Sequence, residues 1–292
     1  MSFNGGKAGV CPLCGGSQGE RIYSREFQNV TWHLGKCPDC GLHYTDPKPT
    51  PAQMAGFYEG DYHSELRSPG GSERAFGEKF RRYVEWIVQF VQKGRSLDIG
   101  CATGLMPHLL SRGGFAAEGV EFNPQSAAWG REHYGVPITV GGLEQVDALP
   151  GAFDLVTMTD VLEHTENPVE ALRGVNALLR QGGFMLVTFP DISSLRARFS
   201  YLLARAASRE WLWMSCHIPG HTWEFTPATA RKCFEKAGFE VAGFRRSESV
   251  PDEWSGMMTP LGWWERFLNW GPVARRQGSQ MEFMLRKVRP GA

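Results

Sequence analysis

Four cysteines near the N-terminus have the spacing of a metal site. Cys11-Pro-Leu-Cys14 and Cys37-Pro-Asp-Cys40 repeat one pattern, each followed by glycine, with 22 residues between the two pairs. Two thiolates spaced in this way can turn toward one ion, and two such pairs complete a tetrahedral shell, the geometry of structural zinc. Because a closed shell leaves no open coordination position, we expect a structural ion. The alternative is four unrelated buried cysteines.

A glycine loop is the second pattern that could bind a ligand. Residues 96–104 read SLDIGCATG and place Asp98, Gly100 and Gly104 between a short apolar strand and a helix. Such a loop lets a ligand approach the backbone while the first N–H groups of the helix point at it. Position 102 is alanine, so the dinucleotide pattern G-x-G-x-x-G is not met, and the Lys-Ser/Thr of a P-loop is missing as well.

Two histidines and a glutamate could move a proton. His164 follows the apolar segment FDLVTMTD, and CHIPGHTWEF contains His221 and Glu224 among aromatic residues. Such groups in an apolar pocket can act as general acids or bases. His221 and Glu224 could equally brace the helix that follows them, and His164 could have a structural role instead. The sequence leaves these roles open.

Alternating strands and helices must position these groups. Residues 73–94 carry an apolar stripe at helical spacing, and short apolar strands then alternate with helices toward the C-terminus. The second strand, FAAEGVEF, contains Glu121, 23 residues after Asp98. The segment NPVEALRGVNALLRQGG, residues 167–183, predicts one of the later helices. This alternation predicts a doubly wound α/β fold, in which ligands bind beyond the carboxyl ends of the strands.

Together these segments resemble the class I S-adenosylmethionine (SAM) dependent methyltransferases. Asp98-x-Gly100-x-x-x-Gly104 resembles the first motif of that family, and Val161-Leu-Glu-His164 is close to its VLEH signature. The order of elements over roughly residues 73–290 agrees as well. The resemblance implies an α/β fold with a Rossmann-like seven-stranded sheet, mostly parallel with an antiparallel last strand, behind a small N-terminal zinc ribbon.

The resemblance also implies which residues bind SAM. An acidic residue at the end of the second strand, here Glu121, suits hydrogen bonds to the ribose hydroxyls. Many relatives carry an acidic residue after the third strand, but this chain reads VGGLE there, so we expect Leu143 to face the adenine. The predicted cofactor-binding residues are Asp98, Gly100, Cys101, Ala102, Thr103, Gly104, Glu121, Phe122, Leu143, Asp160 and Val161.

The predicted organisation has three parts. Residues 1–46 form the zinc ribbon, with a short hairpin between the cysteine pairs, and residues 47–72 form a linker. Three prolines in TDPKPTP predict that this linker begins as a stiff, extended connector. The methyltransferase domain follows over residues 73–292, with insertions at 193–224 and 254–270.

The two insertions are the expected acceptor-binding and contact segments. Residues 193–213 predict an amphipathic helix, with Leu195, Phe199 and Leu202 on its apolar face and arginines such as Arg196 elsewhere. This helix could cover the active site, clamp a phosphorylated substrate or rest on a membrane surface. Residues 254–270 contain four tryptophans and predict a hydrophobic lid or a contact surface.

Composition narrows the class of partner. The chain has 31 Lys+Arg and 31 Asp+Glu, a formal net charge of zero, so it has no global attraction to a polyanion and we predict no nucleic-acid partner. The N-terminus lacks the apolar core of a signal peptide, and no run of 18 apolar residues occurs, which predicts a cytoplasmic protein. The oligomeric state is left open.

The predicted function is methyl transfer from SAM to a small molecule, a sugar or a carrier-linked metabolite of a biosynthetic pathway. One alternative is an rRNA guanine methyltransferase with a zinc ribbon, and another is a SAM-binding or zinc-mediated interaction protein without catalysis. Zero net charge and the aromatic insertions favour the small molecule. The intact loop with Glu121 and Asp160 favours catalysis, but the sequence does not identify the acceptor atom.

Overall fold

The computed structural model of the chain describes residues 10–17, 19–58, 64–207, 218–247 and 278–288. Its N-terminal strands are β1 (Glu20–Phe27), β2 (Val30–Lys36) and β3 (His43–Asp46), paired antiparallel in that order. Gln28 and Asn29 turn β1 into β2 with φ of 52° and 59°, the left-handed pair that suits a two-residue hairpin loop. The hairpin predicted between the cysteine pairs is confirmed.

The segment after the ribbon contains two short helices. Helix α1 spans Pro51–Tyr58 and a 3₁₀ turn spans Ser64–Arg67. Thr50 N donates to Gln53 Oε1 at 2.9 Å, and Gln53 N donates to Thr50 Oγ1 at 3.3 Å, a reciprocal cap. Proline suits the first helical position because its φ is already helical and it has no N–H to leave unpaired. The segment predicted as an extended connector, residues 45–51, thus ends where α1 begins at Pro51.

Seven strands form the main sheet. In chain order the strands after the ribbon are β4 (Gly94–Ile99), β5 (Phe115–Glu121), β6 (Ile138–Val140), β7 (Phe153–Thr159), β8 (Leu179–Pro190), β9 (Trp223–Glu224), β10 (Phe239–Ser247) and β11 (Gln280–Lys287). All except β9 belong to this sheet, in the order β10-β11-β8-β7-β4-β5-β6. Strand β11 runs antiparallel to both of its neighbours, and the pairs from β8 to β6 are parallel. The predicted Rossmann-like sheet with an antiparallel last strand is confirmed.

Helices cover both faces of this sheet. They are α2 (Gly71–Ile87), α3 (Leu105–Arg112), α4 (Pro124–Tyr134), α5 (Pro168–Leu178) and α7 (Pro227–Lys236). A further helix, α6 (Leu195–Ala207), contributes Tyr201 to an apolar cluster with Trp32 and Leu34 of the ribbon. Leu155 and Leu186 pack with residues of α2 and α3, whereas Val156 and Val187 pack with residues of α5 and α7. Because successive strand residues point to opposite faces, each strand contributes to both cores.

Two predicted helices differ from the structure. The helix predicted over residues 167–183 ends at Leu178, because Leu179 pairs with Phe153 and begins β8. In α6 the predicted apolar face is wrong: Arg196 and Ala197 are buried, whereas Leu202 is 63% exposed. The rest of the first insertion before Ile218, and the whole aromatic insertion at 254–270, lie outside the described residues.

The short strand β9 belongs to the ribbon sheet. It extends that sheet to the order β1-β2-β3-β9, with Tyr44 opposite Trp223. The side chains of Cys11, Leu13 and Tyr44 also belong to the same apolar cluster as Phe234 of α7. The ribbon is therefore packed against the main domain through both a strand and a shared core. Among the described residues, no helix is both long and apolar enough to cross a bilayer.

Candidate active site

The glycine loop joins β4 to α3 at the carboxyl edge of the sheet. Gly100, Ala102 and Gly104 all have left-handed backbones, with φ of 70°, 48° and 83°. A Cβ at Gly100 would lie 2.5 Å from Val161 Cγ2, so this position has no room for a side chain. A non-glycine residue at positive φ is a strained feature that clusters at ligand sites. The loop has the backbone geometry that the sequence predicts for a binding site.

Glu121 ends β5 beside this loop. Its Oε2 accepts the N–H of Ala102 at 2.8 Å, and its Oε1 accepts the N–H of Asn123 at 2.7 Å. Burial raises the pKa of this carboxyl, and the backbone N–H donors oppose that rise. Each carboxylate oxygen retains a second acceptor position for a ligand hydroxyl. Phe122, the next residue, is 66% exposed and offers an aromatic surface that a nucleoside would cover.

Asp98 lies under the loop, at the end of β4. It is 2% exposed and accepts a hydrogen bond from Thr157 Oγ1 at 2.6 Å. Burial raises the pKa of the carboxyl to about 7, with a further contribution from the negative charge of Glu121. This buried acid therefore links the end of β4, directly before the loop, to the neighbouring strand β7.

Three other predicted cofactor residues direct their side chains into the protein. Cys101 is 5% exposed and packs so closely on β5 that a Cβ at Gly119 would lie 2.5 Å from its Sγ. Thr103 Oγ1 lies 2.5 Å from Ser72 Oγ of α2. Leu143 packs against α5, where a Cβ at Gly174 would lie 2.4 Å from Leu143 Cδ2. Because the side chains of Cys101 and Thr103 are buried, only the backbone groups of these two loop residues would be left for a ligand.

Asp160 follows β7, the strand paired with β4, and so lies at the same edge of the sheet as the loop. Its φ is 57°, again left-handed, and its Oδ2 lies 2.7 Å from Lys79 Nζ of α2. Burial alone would raise the pKa of this carboxyl, but the Lys79 charge and hydrogen bonds from Gln280 and Thr188 lower it. Asp160 is therefore a carboxylate, and Val161 next to it contacts Gly100.

The proton-transfer candidates meet in one buried cluster behind Val161. His221 Nδ1 lies 3.0 Å from Glu224 Oε1, and the His221 ring meets the His164 ring edge to face, with centroids 4.8 Å apart. His164 Nδ1 lies 2.7 Å from Gly220 O. Burial lowers the pKa of both histidines to about 4, so both imidazoles are neutral at neutral pH. If Nδ1 of His221 donates to Glu224, its Nε2 carries the lone pair that a general base needs.

Glu163 joins this cluster from the same turn as His164. Its side chain is 1% exposed, and Oε2 has no hydrogen-bond partner among the described residues. Burial raises the pKa of this carboxyl well above its usual value, and the Asp160 charge adds to the rise. One ligand atom each of Glu163, His164 and His221 lies within 4.8 Å of the others, so these three residues could also hold a metal ion.

The four ribbon cysteines lie together at the start of the chain. Cys11 Sγ is 3.5 Å from Cys40 Sγ, Cys14 Sγ is 3.5 Å from Cys37 Sγ, and all four sulfur atoms lie within 4.8 Å of one another. Zinc–thiolate bonds of about 2.3 Å give a tetrahedral edge of about 3.8 Å, which this cluster matches. The thiols therefore fit the predicted structural ion.

Sequence reasoning missed three residues of this region. Lys79 lies on a helix noted for its apolar stripe, and nothing in its neighbourhood indicates its pairing with Asp160. Glu163 lies within the VLEH motif, so the sequence shows where it stands in the chain, but the sequence does not show that its side chain is buried. Thr45 donates its hydroxyl to His221 O at 2.6 Å, across 176 positions of the chain, and no local pattern could have shown this contact.

Comparison with known proteins agrees with this geometry. Residues 73–242 match the methyltransferase domain family, which is more than half of the chain. The ubiquinone biosynthesis O-methyltransferase of Bordetella avium is 25% identical over 183 residues, which cover 58% of this chain and 72% of that protein. The protein of the same description from Methylococcus capsulatus is 27% identical over 172 residues, 53% of this chain and 70% of that protein.

Solved structures show the same fold at low identity. A Haloferax volcanii protein described as a methyltransferase, in complex with the Trm112 methyltransferase activator, has a TM-score of 0.55 at 14% identity, covering 77% of this chain and 96% of that one. A Bacillus halodurans protein has a TM-score of 0.50 at 14% identity, covering 73% and 100%. With the family match and the sheet order in agreement, the chain belongs to the methyltransferase domain family and is a class I SAM-dependent methyltransferase.

Proposed function

We propose that this enzyme methylates an oxygen of a small molecule. The observation that carries the proposal is the His221–Glu224 pair, buried against the Glu163–His164 turn that follows Val161. A hydroxyl is a poor nucleophile until it loses its proton, so an oxygen acceptor needs a base of this kind. The two relatives described above are named as O-methyltransferases, which supports the same atom.

The glycine loop and the ends of β5 and β7 would hold SAM. Glu121 would accept ribose hydroxyls, Phe122 would cover the adenosine, and the left-handed backbone from Gly100 to Gly104 would let the cofactor approach closely. Asp160 would fix the loop side of the crevice through its pair with Lys79. SAM, when bound, supplies a methyl group on a positively charged sulfur, so the protein has mainly to align the acceptor and remove its proton.

Proton removal is the step assigned to the histidine cluster. Nε2 of His221 would take the acceptor proton, and the Glu224 carboxylate at 3.0 Å would stabilise the imidazolium that forms. His164, held by Gly220 O, would keep the His221 ring in place. In this arrangement His221 is the catalytic base, and Glu224 and His164 are positioning residues.

The proposal also concerns where the acceptor binds and which kinds of molecule it includes. His221 and Glu224 lie at the C-terminal end of the first insertion, so an acceptor bound against this end would reach the base. Sugars, carrier-linked metabolites and hydroxylated ring compounds all present a hydroxyl to such a site.

We propose that the cysteine cluster holds one structural zinc ion, because its sulfur geometry fits and its closed shell leaves no coordination position for catalysis.

The test is methyl transfer from isotope-labelled SAM. Purified protein is incubated with hydroxylated aromatic compounds, nucleotide sugars, carrier-linked hydroxy acids and rRNA fragments in separate reactions. We expect label in one class of small molecule, loss of turnover by about 10²–10⁴-fold in His221→Asn with normal SAM binding, and weaker SAM binding in Glu121→Ala. Label confined to rRNA, or full turnover in His221→Asn, would refute the proposal.

A further inference from the structure

The ribbon strand β3 holds the backbone of the segment that carries His221. Strand pairing places His43 opposite Glu224, and the contacts continue beyond the strand. Thr45 N donates to Thr222 O at 3.0 Å, and Thr45 Oγ1 donates to His221 O at 2.6 Å. Thr45 is 4% exposed, so water does not compete for these bonds. The carbonyl of His221 is thus bound by the side chain of a ribbon residue.

The opposite edge of the same segment is held by the turn that follows β7. Thr222 N donates to Glu163 O at 2.9 Å, and Trp223 Nε1 donates to Thr165 O at 2.8 Å. Residues 220–224 are therefore fixed between two parts of the chain, the ribbon on one side and the VLEH turn on the other. Removing either side leaves buried backbone groups without partners, and such groups cost free energy.

We propose that Thr45 is a positioning residue for His221, so that the zinc ribbon forms part of the catalytic architecture. The inference depends on the proposed role of His221 as the base. A base must lie within hydrogen-bond reach of the proton that it takes, and small displacements of such a group reduce the rate strongly. The Thr45 hydroxyl fixes the carbonyl group bonded to the Cα from which the His221 side chain projects. The ribbon thereby acts on the acceptor side of the crevice, away from the residues assigned to SAM.

Three variants separate this role from simple stability. Thr45→Val keeps the shape of the side chain and removes the donor, Thr45→Ser keeps the donor, and Thr31→Val is the control on the neighbouring strand β2, where Thr31 is exposed. The readouts are SAM binding by calorimetry, kcat and KM for the acceptor found in the labelling assay, and ring ¹⁵N chemical shifts of His221 in ¹⁵N-histidine protein.

We expect Thr45→Val to lower kcat about 10-fold or more, with SAM affinity unchanged and the His221 ring signals shifted. Thr45→Ser should stay within about twofold of the wild type, and Thr31→Val should match it. If Thr45→Val does not fold, the same measurements are made on Thr45→Ala, which also lacks the hydroxyl. Wild-type kcat together with unshifted His221 signals would overturn the proposal.

Failure of the base assignment gives a different pattern. If His221→Asn retains full turnover, His221 is not the base. The ¹⁵N signals of the His221 ring in Thr45→Val then decide whether Thr45 positions this residue. Shifted His221 signals in Thr45→Val then uphold the contact between ribbon and segment, and unshifted signals refute it.

Discussion

Glu121 has two tasks, one toward the protein and one toward the cofactor. Its carboxylate already orders the loop by accepting the N–H groups of Ala102 and Asn123. Its acid type and its position at the end of the second strand were predictable from the sequence. Its hydrogen bond to the N–H of Ala102 was not predictable, because the two residues are 19 positions apart and meet only when β4 and β5 pair.

We predict that Glu121→Gln weakens SAM binding by about 1–3 kcal/mol and that Glu121→Ala weakens it by about 2–4 kcal/mol. Glutamine keeps an acceptor oxygen but loses the negative charge. Alanine also loses the hydrogen bonds to the N–H groups of Ala102 and Asn123 that order the loop. Calorimetry measures both, with Glu118→Gln, on the same strand but paired with Arg95, as the control. Unchanged affinity in Glu121→Ala would show that SAM does not bind here.

The raised pKa of Asp98 predicts that the stability of the folded protein depends on pH. Its folded pKa of about 7 lies above the usual value of 3.8, so between these values the native state holds a proton that the unfolded state releases. Stability is therefore lost as pH rises through this window. Between pH 5 and 8 the wild type should lose about 3 kcal/mol more than Asp98→Asn, in which Asn Oδ1 still accepts from Thr157.

Urea unfolding of SAM-free protein at pH 5 and pH 8 measures this difference. Asp154→Asn is the control, because Arg180 lowers the pKa of Asp154 against the effect of burial, and that group is ionised throughout the range. An equal pH dependence in Asp98→Asn and the wild type would mean that Asp98 is charged in the native protein.

At the scale of elements, the periodic segments were predictable and their partners were not. Apolar strands and glycine-ended helices indicate the βα alternation directly. Strand β9 has two residues and no periodicity, and it exists because β3 offers it hydrogen bonds from more than 170 positions away. In α6, burial of Arg196 and exposure of Leu202 reverse the sequence pattern, because the tertiary neighbours of a helix select its buried face.

The cysteine cluster gives a prediction about the ribbon. Metal analysis should find about one zinc per chain, and Cys37→Ser should lose most of it while SAM binding persists, since the loop residues lie in the other sheet. Cys233→Ala, a buried cysteine of α7 outside the cluster, is the matched control and should keep its zinc. Full zinc occupancy in Cys37→Ser, or metal-free wild-type protein with an intact ribbon, would contradict the assignment.

For the whole molecule, the ribbon and the methyltransferase domain are joined at the histidine cluster. The ribbon sheet takes its fourth strand from the domain, and Lys236 Nζ of α7 donates to Leu13 O at 2.8 Å. The formal charge of zero gives this assembly no overall attraction to a polyanion. The fold class and cofactor were predictable from motif order, whereas the joint role of the ribbon and β9 depends on long-range pairing.

The methylated atom of the product is the most direct test of the proposed function. Protein is incubated with [methyl-¹³C]SAM and the acceptor found by labelling, and the product is examined by ¹³C NMR, which separates O-methyl, N-methyl and C-methyl groups. We predict one O-methyl resonance with the wild-type enzyme and its near absence with His221→Asn over the same time. An N-methyl or C-methyl resonance, or an O-methyl signal of equal intensity in His221→Asn, would contradict the account.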